Sequence, residues 1–191
     1  QQVSYFLFIQ IMVLLYIDEE YDFLGMKKFT REFKDKINPQ LILSLDGKEL
    51  EVCNGCRGLI EFSCIVKGKT GHAARPKEGL NAIDKSTKAI RSLQEYLEKV
   101  YSSEELGKTT CNLAYLQGGL DLGRDKKGNL KIGKEGNSIA NIAEFVLDIR
   151  PASLKLNADK IIKKLRRLLE NESIQLINFK VRHDFSPWIT P

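Results

Sequence analysis

The chain has 191 residues, 42% hydrophobic and 29% charged, enough to bury one sizeable core and part of a second, as in an ordinary soluble globular protein. Its 30 basic and 25 acidic residues leave a formal charge of +5; the charge is spread along the chain, which suits an anionic substrate or a solvated surface and does not by itself imply nucleic acid. Of Cys53, Cys56, Cys64 and Cys111, only the first two approach the spacing of a metal knuckle. A zinc ribbon requires a second such pair, so the cysteines read as unpaired thiols in a reducing compartment, here the cytoplasm.

Tyr5 to Ile17 is almost continuously apolar. The run is too short for a membrane span, contains Gln10, and lacks the basic leader and small-residue cleavage site of a signal peptide, so a membrane location is not expected. It reads as a strand covered on both faces, as in a parallel sheet, ending at Asp18, Glu19 and Glu20. Phe23, Met26, Phe29 and Phe33 follow at helical spacing, and Leu41 to Leu45 reads as a further short strand. This strand, helix, strand unit is expected to be the rim of an α/β domain over residues 1–57.

The pattern changes at Gly58. Ile60, Phe62, Cys64 and Val66 alternate with polar residues, as in a half-buried strand. Ile83, Ala89, Ile90, Leu93, Leu97 and Val100 mark one face of a helix. A two-residue period returns at Cys111, Leu113 and Tyr115, and again at Ala143, Phe145, Leu147 and Ile149. Asn157 is an expected N-cap for a helix whose stripe is Ile161, Ile162, Leu165, Leu168 and Leu169. Ile177, Phe179 and Val181 close the series as a last strand. The order βαββαβ predicts a ferredoxin-like sandwich over residues 58–186, with 187–191 expected to return toward the missing remainder of the α/β domain. The Gly- and Lys-rich stretch from Asp121 to Gly136 carries a hairpin turn signal at Asp125 to Asn129 and is expected to be an exposed ribbon.

The three adjacent carboxylates Asp18, Glu19 and Glu20 stand at the end of an apolar run. Alternate side chains of a strand point to opposite faces, so such a triplet can direct one acid to a metal and its neighbour to a bound water; a solvated acidic loop has the same composition. In Lys67 to Ile83, glycines punctuate a strand exit and present His72 on a loop ahead of a Pro-limited helix start. A loop histidine beside Arg75 is able to polarise a carbonyl or hold an anion, and equally to be an ordinary surface residue. The cationic residues Lys160, Lys163, Lys164, Arg166 and Arg167 read as a solvated helix face, because a sheet that binds RNA in this fold presents paired aromatics and none are evident.

Gly71-His72, Pro76 and Gly79-Leu80-Asn81-Ala82-Ile83 together resemble the dimerisation-domain signature of the zinc metallopeptidase family that includes acetylornithine deacetylase, succinyl-diaminopimelate desuccinylase, aminoacylase and glutamate carboxypeptidases. Asp18-Glu19-Glu20 is similar to that family's Asp-Glu-Glu. The resemblance implies Glu19 as general base on a metal-bound water and Glu20 as a zinc ligand. Asp46, twelve residues before Gly58 (58 − 46), resembles the next acidic ligand, with Gly47-Lys48 standing where the family has Pro-Thr. His72 resembles the lid histidine that reaches the partner subunit's site and stabilises the oxyanion. Asn137 and Arg150 resemble the lid residues that grip the substrate's carboxylate, a task suited to the guanidinium fork.

The activity implied is hydrolysis of an amide in a small carboxylate-bearing substrate, an N-acyl amino acid or dipeptide-like compound, by a homodimer using two zinc ions per site. The family's upstream His-x-Asp, its bridging Asp and its C-terminal His ligand are not found in this chain, and His183 lies in the last strand of the second domain. The chain therefore reads as a fragment, inactive alone; the alternative is a non-catalytic dimerisation or binding module of the same ancestry.

Overall fold

Asn81 shows how the sequence starts a helix: in the computed structural model, which describes residues 10–45 and 52–190, its side-chain oxygen accepts the N–H groups of Ile83 and Asp84 at 3.0 and 3.3 Å. Two of the four orphan donors of the first turn are thereby satisfied. The chain divides into two compact units, residues 1–51 and 52–191.

The first unit contains one helix among its described residues, α1 (Leu24–Phe33). It follows a turn in which the Asp18 carbonyl accepts from Phe23 N–H at 2.8 Å and the Asp18 carboxylate accepts from Leu24 N–H at 3.1 Å. The predicted helix is therefore present; residues 5–9 of the first predicted strand lie outside the described residues, and the described part of that strand and the second predicted strand are not formed. Residues 10–17 and 41–45 are irregular and exposed. A strand of a parallel sheet is stable when neighbours take up its backbone hydrogen bonds and cover its faces, and among the described residues of this unit no strand lies beside either segment.

The second unit contains β1 (Gly55–Cys56), β2 (Leu59–Lys67), a single 3-10 turn at Pro76–Glu78, α2 (Ala82–Tyr101), β3 (Thr110–Arg124), β4 (Leu130–Gly133), β5 (Ile142–Arg150), α3 (Ala158–Asn171), β6 (Gln175–Phe185) and β7 (Trp188–Ile189). β1 pairs with β7 alone, and the main sheet has the order β4-β3-β5-β2-β6 with every pairing antiparallel. Setting aside β4, β2-α2-β3-β5-α3-β6 is the βαββαβ sandwich expected from the sequence.

Register sets which side chains meet the helices. Phe62 lies opposite Leu147 and Cys64 opposite Phe145, and all four are fully buried. Ala89, Ile90, Leu93 and Leu97 of α2 and Ile161, Ile162, Leu165 and Leu169 of α3 join them in one core. Burying each large side chain of this set contributes about 1.5–3 kcal/mol. α3 starts at Asn157, whose side chain accepts from Lys160 N–H at 3.1 Å, while Asp184 of β6 accepts from Ala158 N–H at 3.3 Å; the helix is thus tied to the edge strand of the sheet.

β3 and β4 form the expected ribbon, closed by Asp125. Its carboxylate accepts from the N–H groups of Lys127 and Asn129 and from the Asn129 amide, at 2.8 to 2.9 Å. Gly128 takes the left-handed conformation, with φ of 86°, which glycine adopts at no steric cost.

Replacing Leu165 by Ala removes a fully buried side chain between α3 and the sheet. The expected loss of stability is about 2–5 kcal/mol, read as a lower urea midpoint with an unchanged slope.

Candidate functional site

His72 sits on the excursion from β2 to α2, and backbone pairing holds that excursion at both ends. Gly68 N–H donates to the Asn141 carbonyl at 2.8 Å, and Lys69 and Leu80 exchange hydrogen bonds of 3.0 and 2.7 Å. The stretch beyond Gly71 then runs antiparallel to residues 137–139. Ile139 N–H donates to the Gly71 carbonyl at 2.9 Å and Ala73 N–H donates to the Asn137 carbonyl at 2.8 Å, with His72 facing Ser138.

Ile139 is the buttress of this arrangement, 7% exposed. A Cβ on Gly79 would stand 2.6 Å from the Ile139 Cδ1 and 2.8 Å from the Lys69 carbonyl, so only glycine allows the hairpin to close. The remaining motif residues have equally local causes. Asn81 caps α2, Ala82 is fully buried, and its N–H donates to the Ala140 carbonyl at 2.8 Å.

The His72 ring is fixed by its own loop. Its Nδ1 accepts from Ala74 N–H at 3.1 Å, and a ring nitrogen that accepts is unprotonated, so in the neutral imidazole the proton lies on Nε2. The exposed ring thereby offers a donor outward. Asn137 is exposed beside it, its side-chain oxygen accepting from the Ser138 hydroxyl at 3.3 Å.

Arg150 occupies the opposite end of β5. Eight residues of extended chain separate it from Ile142, roughly 26 Å, and Asn137 lies five residues further back. The structure therefore brings His72 and Asn137 together and leaves Arg150 apart from both. Arg150 is held by Asp148, with Nε 2.8 Å from one carboxylate oxygen and Nη2 3.0 Å from the other. That two-pronged bond from Asp148, opposed by partial burial, raises the guanidinium's pKa above its ordinary value. Asp148 was not among the site residues expected from sequence, although its spacing of two from Arg150 on a strand places both on one face and was the available signal.

Glu19 and Glu20 lie in the turn before α1, Glu19 half-buried and Glu20 exposed, and Asp46 lies outside the described residues. Among the described residues no group of three or more His, Cys, Asp or Glu side chains converges as metal ligands. Two adjacent carboxylates without imidazole do not fit a zinc centre. His183 is in β6, 3% exposed, across the strand pair from Glu61 and stacked on Phe185 at 5.6 Å.

The peptidase dimerisation domain of the M20 family matches residues 54–176. The chain belongs to the M20 family. An acetylornithine deacetylase of Buchnera aphidicola (subsp. Acyrthosiphon pisum, strain Tuc7) is 30% identical over 119 residues, covering 60% of this chain and 31% of the relative. One of Aliivibrio fischeri (strain MJ11) is 26% identical over 146 residues, covering 74% and 34%. The chain thus spans about a third of the length of these curated relatives. Among solved structures, aminopeptidase PepT from Bacillus cereus superimposes with a TM-score of 0.61 at 19% identity, over 92% of this chain and 42% of that one. A tripeptidase from Staphylococcus aureus gives 0.50 at 20%, over 73% and 32%. The resemblance read from Gly71-His72, Pro76 and Gly79 to Ile83 is borne out, and so is the fold class. No helix among the described residues of this M20 chain is long and apolar enough to cross a membrane.

Gly79→Ala tests the buttress. Its new methyl group collides with Ile139 and the Lys69 carbonyl, and a loss of about 1–3 kcal/mol is expected. Urea unfolding measures that loss, and the His72 ring resonances should shift in the folded variant because the loop moves.

Proposed function

We propose that this chain supplies the dimerisation lid of an amide hydrolase acting on a small carboxylate-bearing substrate, an N-acyl amino acid or a dipeptide-like compound. The observation that carries the reading is the pinned His72 ring. With Nδ1 occupied by Ala74 N–H, Nε2–H is the outward donor, and a donor fixed before the reaction stabilises the negative charge that develops on a carbonyl oxygen under attack. Asn137 travels with His72 as a second polar contact. Arg150 takes the substrate's carboxylate through the guanidinium edge that Asp148 leaves open.

The separation of these groups along β5 gives the assembly a role. A small substrate does not span roughly 26 Å of strand, so His72 with Asn137 and Arg150 serve one substrate only when they come from different copies of the chain. Homodimerisation through the lid is therefore part of the chemistry, with each site taking its histidine from one copy and its arginine from the other. Glu19 is the candidate proton acceptor, and Glu20 and Asp46 are the candidate carboxylate ligands for the zinc ions that the family resemblance implies; activating the attacking water is the chemistry such ions supply. The second reading, for this chain taken alone, is a dimerisation module without catalysis, because zinc prefers imidazole among its ligands and the candidate ligands here are carboxylates.

Mixed dimers test the arrangement in the enzyme that carries this lid. His72→Ala should lower kcat by about a hundredfold to a thousandfold, and Arg150→Ala should mainly raise KM. At substrate concentrations far below the raised KM, where both variants are nearly silent, mixing them should restore about a quarter of the native activity, because half of the random dimers are mixed and each has one intact site. No recovery on mixing would sink the shared site, and a stable dimer without hydrolysis of any N-acyl amino acid would establish the second reading.

A further inference from the structure

Ile60 and Phe62 of β2 and Leu147 and Ile149 of β5 point into the core. Glu61, Asp148 and Arg150 alternate with them and so stand on the face of the sheet turned away from α2 and α3. Glu61 lies directly opposite Asp148 in the β2–β5 register, and both side chains are 22% exposed. Cross-strand partners of like charge, with Cβ atoms about 4.5–5.5 Å apart, repel each other. Each carboxylate therefore requires its own cation. Arg150 donates to Asp148 through Nε and Nη2 at 2.8 and 3.0 Å, and Arg182 of β6 donates to Glu61 through Nη1 at 3.1 Å.

Arg182 reaches Glu61 at an irregularity of β6. His183 is the register partner of Glu61, and Val181 that of Phe62. Two steps along β6 thus match one along β2, which makes Arg182 the extra residue of a bulge. A bulge bends its strand and re-aims a side chain, and bulges recur beside functional sites.

Glu61 has a second cation within reach. Arg150 stands two positions along β5 from Asp148, the residue directly opposite Glu61. Such diagonal neighbours are about 7–8 Å apart, within the span of long side chains. On the other side of β5, Asn112 lies opposite Asp148 and Thr110 opposite Arg150, and both are neutral. The side chain placed to compete for the guanidinium edge that Asp148 leaves open is therefore Glu61.

We propose that Arg182 is a positioning residue for Arg150: by holding Glu61 on the β6 side, it keeps the open edge of the Arg150 guanidinium clear for a substrate carboxylate. The inference rests on the role given to Arg150 above. Without Arg182, the Glu61 carboxylate turns to Arg150 and closes the fork from its second side, so that a carboxylate ligand must displace an internal one. Arg182 acts through Glu61 and touches no substrate in this arrangement. Its loss is harmful only while Glu61 carries a charge, a coupling that a purely structural role does not produce.

Nitrogen-15 NMR of the full chain reads the Arg150 guanidinium without any substrate. The Arg182 side chain is 42% exposed, so substitutions there leave the core intact. In Arg182→Ala, the Nη1 protons of Arg150 should exchange with water about fivefold more slowly, because Glu61 now accepts them. Arg182→Ala combined with Glu61→Gln should return them to the native rate. Titration with N-acetylglycine, followed at the Arg150 Nε–H, should give a Kd about fivefold higher in Arg182→Ala. The native Kd should return in the double variant and persist in Arg182→Lys, which keeps the cation. Nη1 exchange unchanged in Arg182→Ala, or a weakened Kd that Glu61→Gln does not repair, would overturn the proposal. Slowed Nη1 exchange in Arg182→Ala with no N-acetylglycine bound by the native chain would support the hold on Glu61 and overturn the carboxylate-binding role of Arg150.

Discussion

The close approach of the 69–80 hairpin to Ile139 is the constraint on which the lid's chemistry depends. Ile139 is buried between a hairpin that carries a histidine and the segment that carries an asparagine. Because the contact leaves no room for a side chain at Gly79, the two backbones come near enough for Gly71 and Ala73 to bond to residues 137–139. Those hydrogen bonds, each worth about 0.5–1.5 kcal/mol net, place an exposed ring with little conformational freedom. The sandwich core supplies the rigidity behind it: Asn81 and Ala82 lead from the hairpin directly into α2, and α2 is anchored through Ala89, Ile90, Leu93 and Leu97.

The same sheet separates the functional groups that the histidine must work with. β5 is paired along nearly its whole length, to β2 and to β3, which keeps it extended between its two ends. A lid of this build holds two incomplete sets of contacts rather than one site. In the proposed homodimer, a twofold axis that sets the His72 end of one copy beside the Arg150 end of its partner would generate two equivalent composite sites. Dimerisation would then place groups as well as bury surface.

Much of the lid was legible because its signals are periodic and local. Ile60, Phe62, Cys64 and Val66, read as one face of a strand, are the residues that meet the helices, and Asn157 and the Asp125 turn were recognisable from side-chain chemistry at a helix start and a hairpin. What could not be read was non-local. Tyr5 to Ile17 and Leu41 to Leu45 have the composition of buried strands, yet their described residues are exposed and unpaired in the ladder sense, because a strand is defined by its neighbours and an apolar run carries no record of whether they are present. The separation of Asn137 from Arg150 within one copy could not be read for a related reason. Thirteen positions in sequence (150 − 137) read as proximity only if the chain turns back, and here Ile142–Arg150 lead away from Asn137 along β5.

Arg150 shows how a strand can present a cation without spending it. Asp148 engages Nε and Nη2, which leaves the remaining N–H groups of the fork directed away from the pair. An ion pair with half of the arginine side chain exposed contributes little to stability, of order 1 kcal/mol or less. Its value is therefore positional: the bond fixes the rotamer of a long side chain, so a carboxylate bound there would meet an oriented donor set and lose less entropy on binding. The neighbouring carboxylate also cancels part of the charge. Under the proposed function, recognition at Arg150 would rest more on the geometry of two N–H groups than on net attraction, favouring a planar carboxylate over anions that offer charge without that shape.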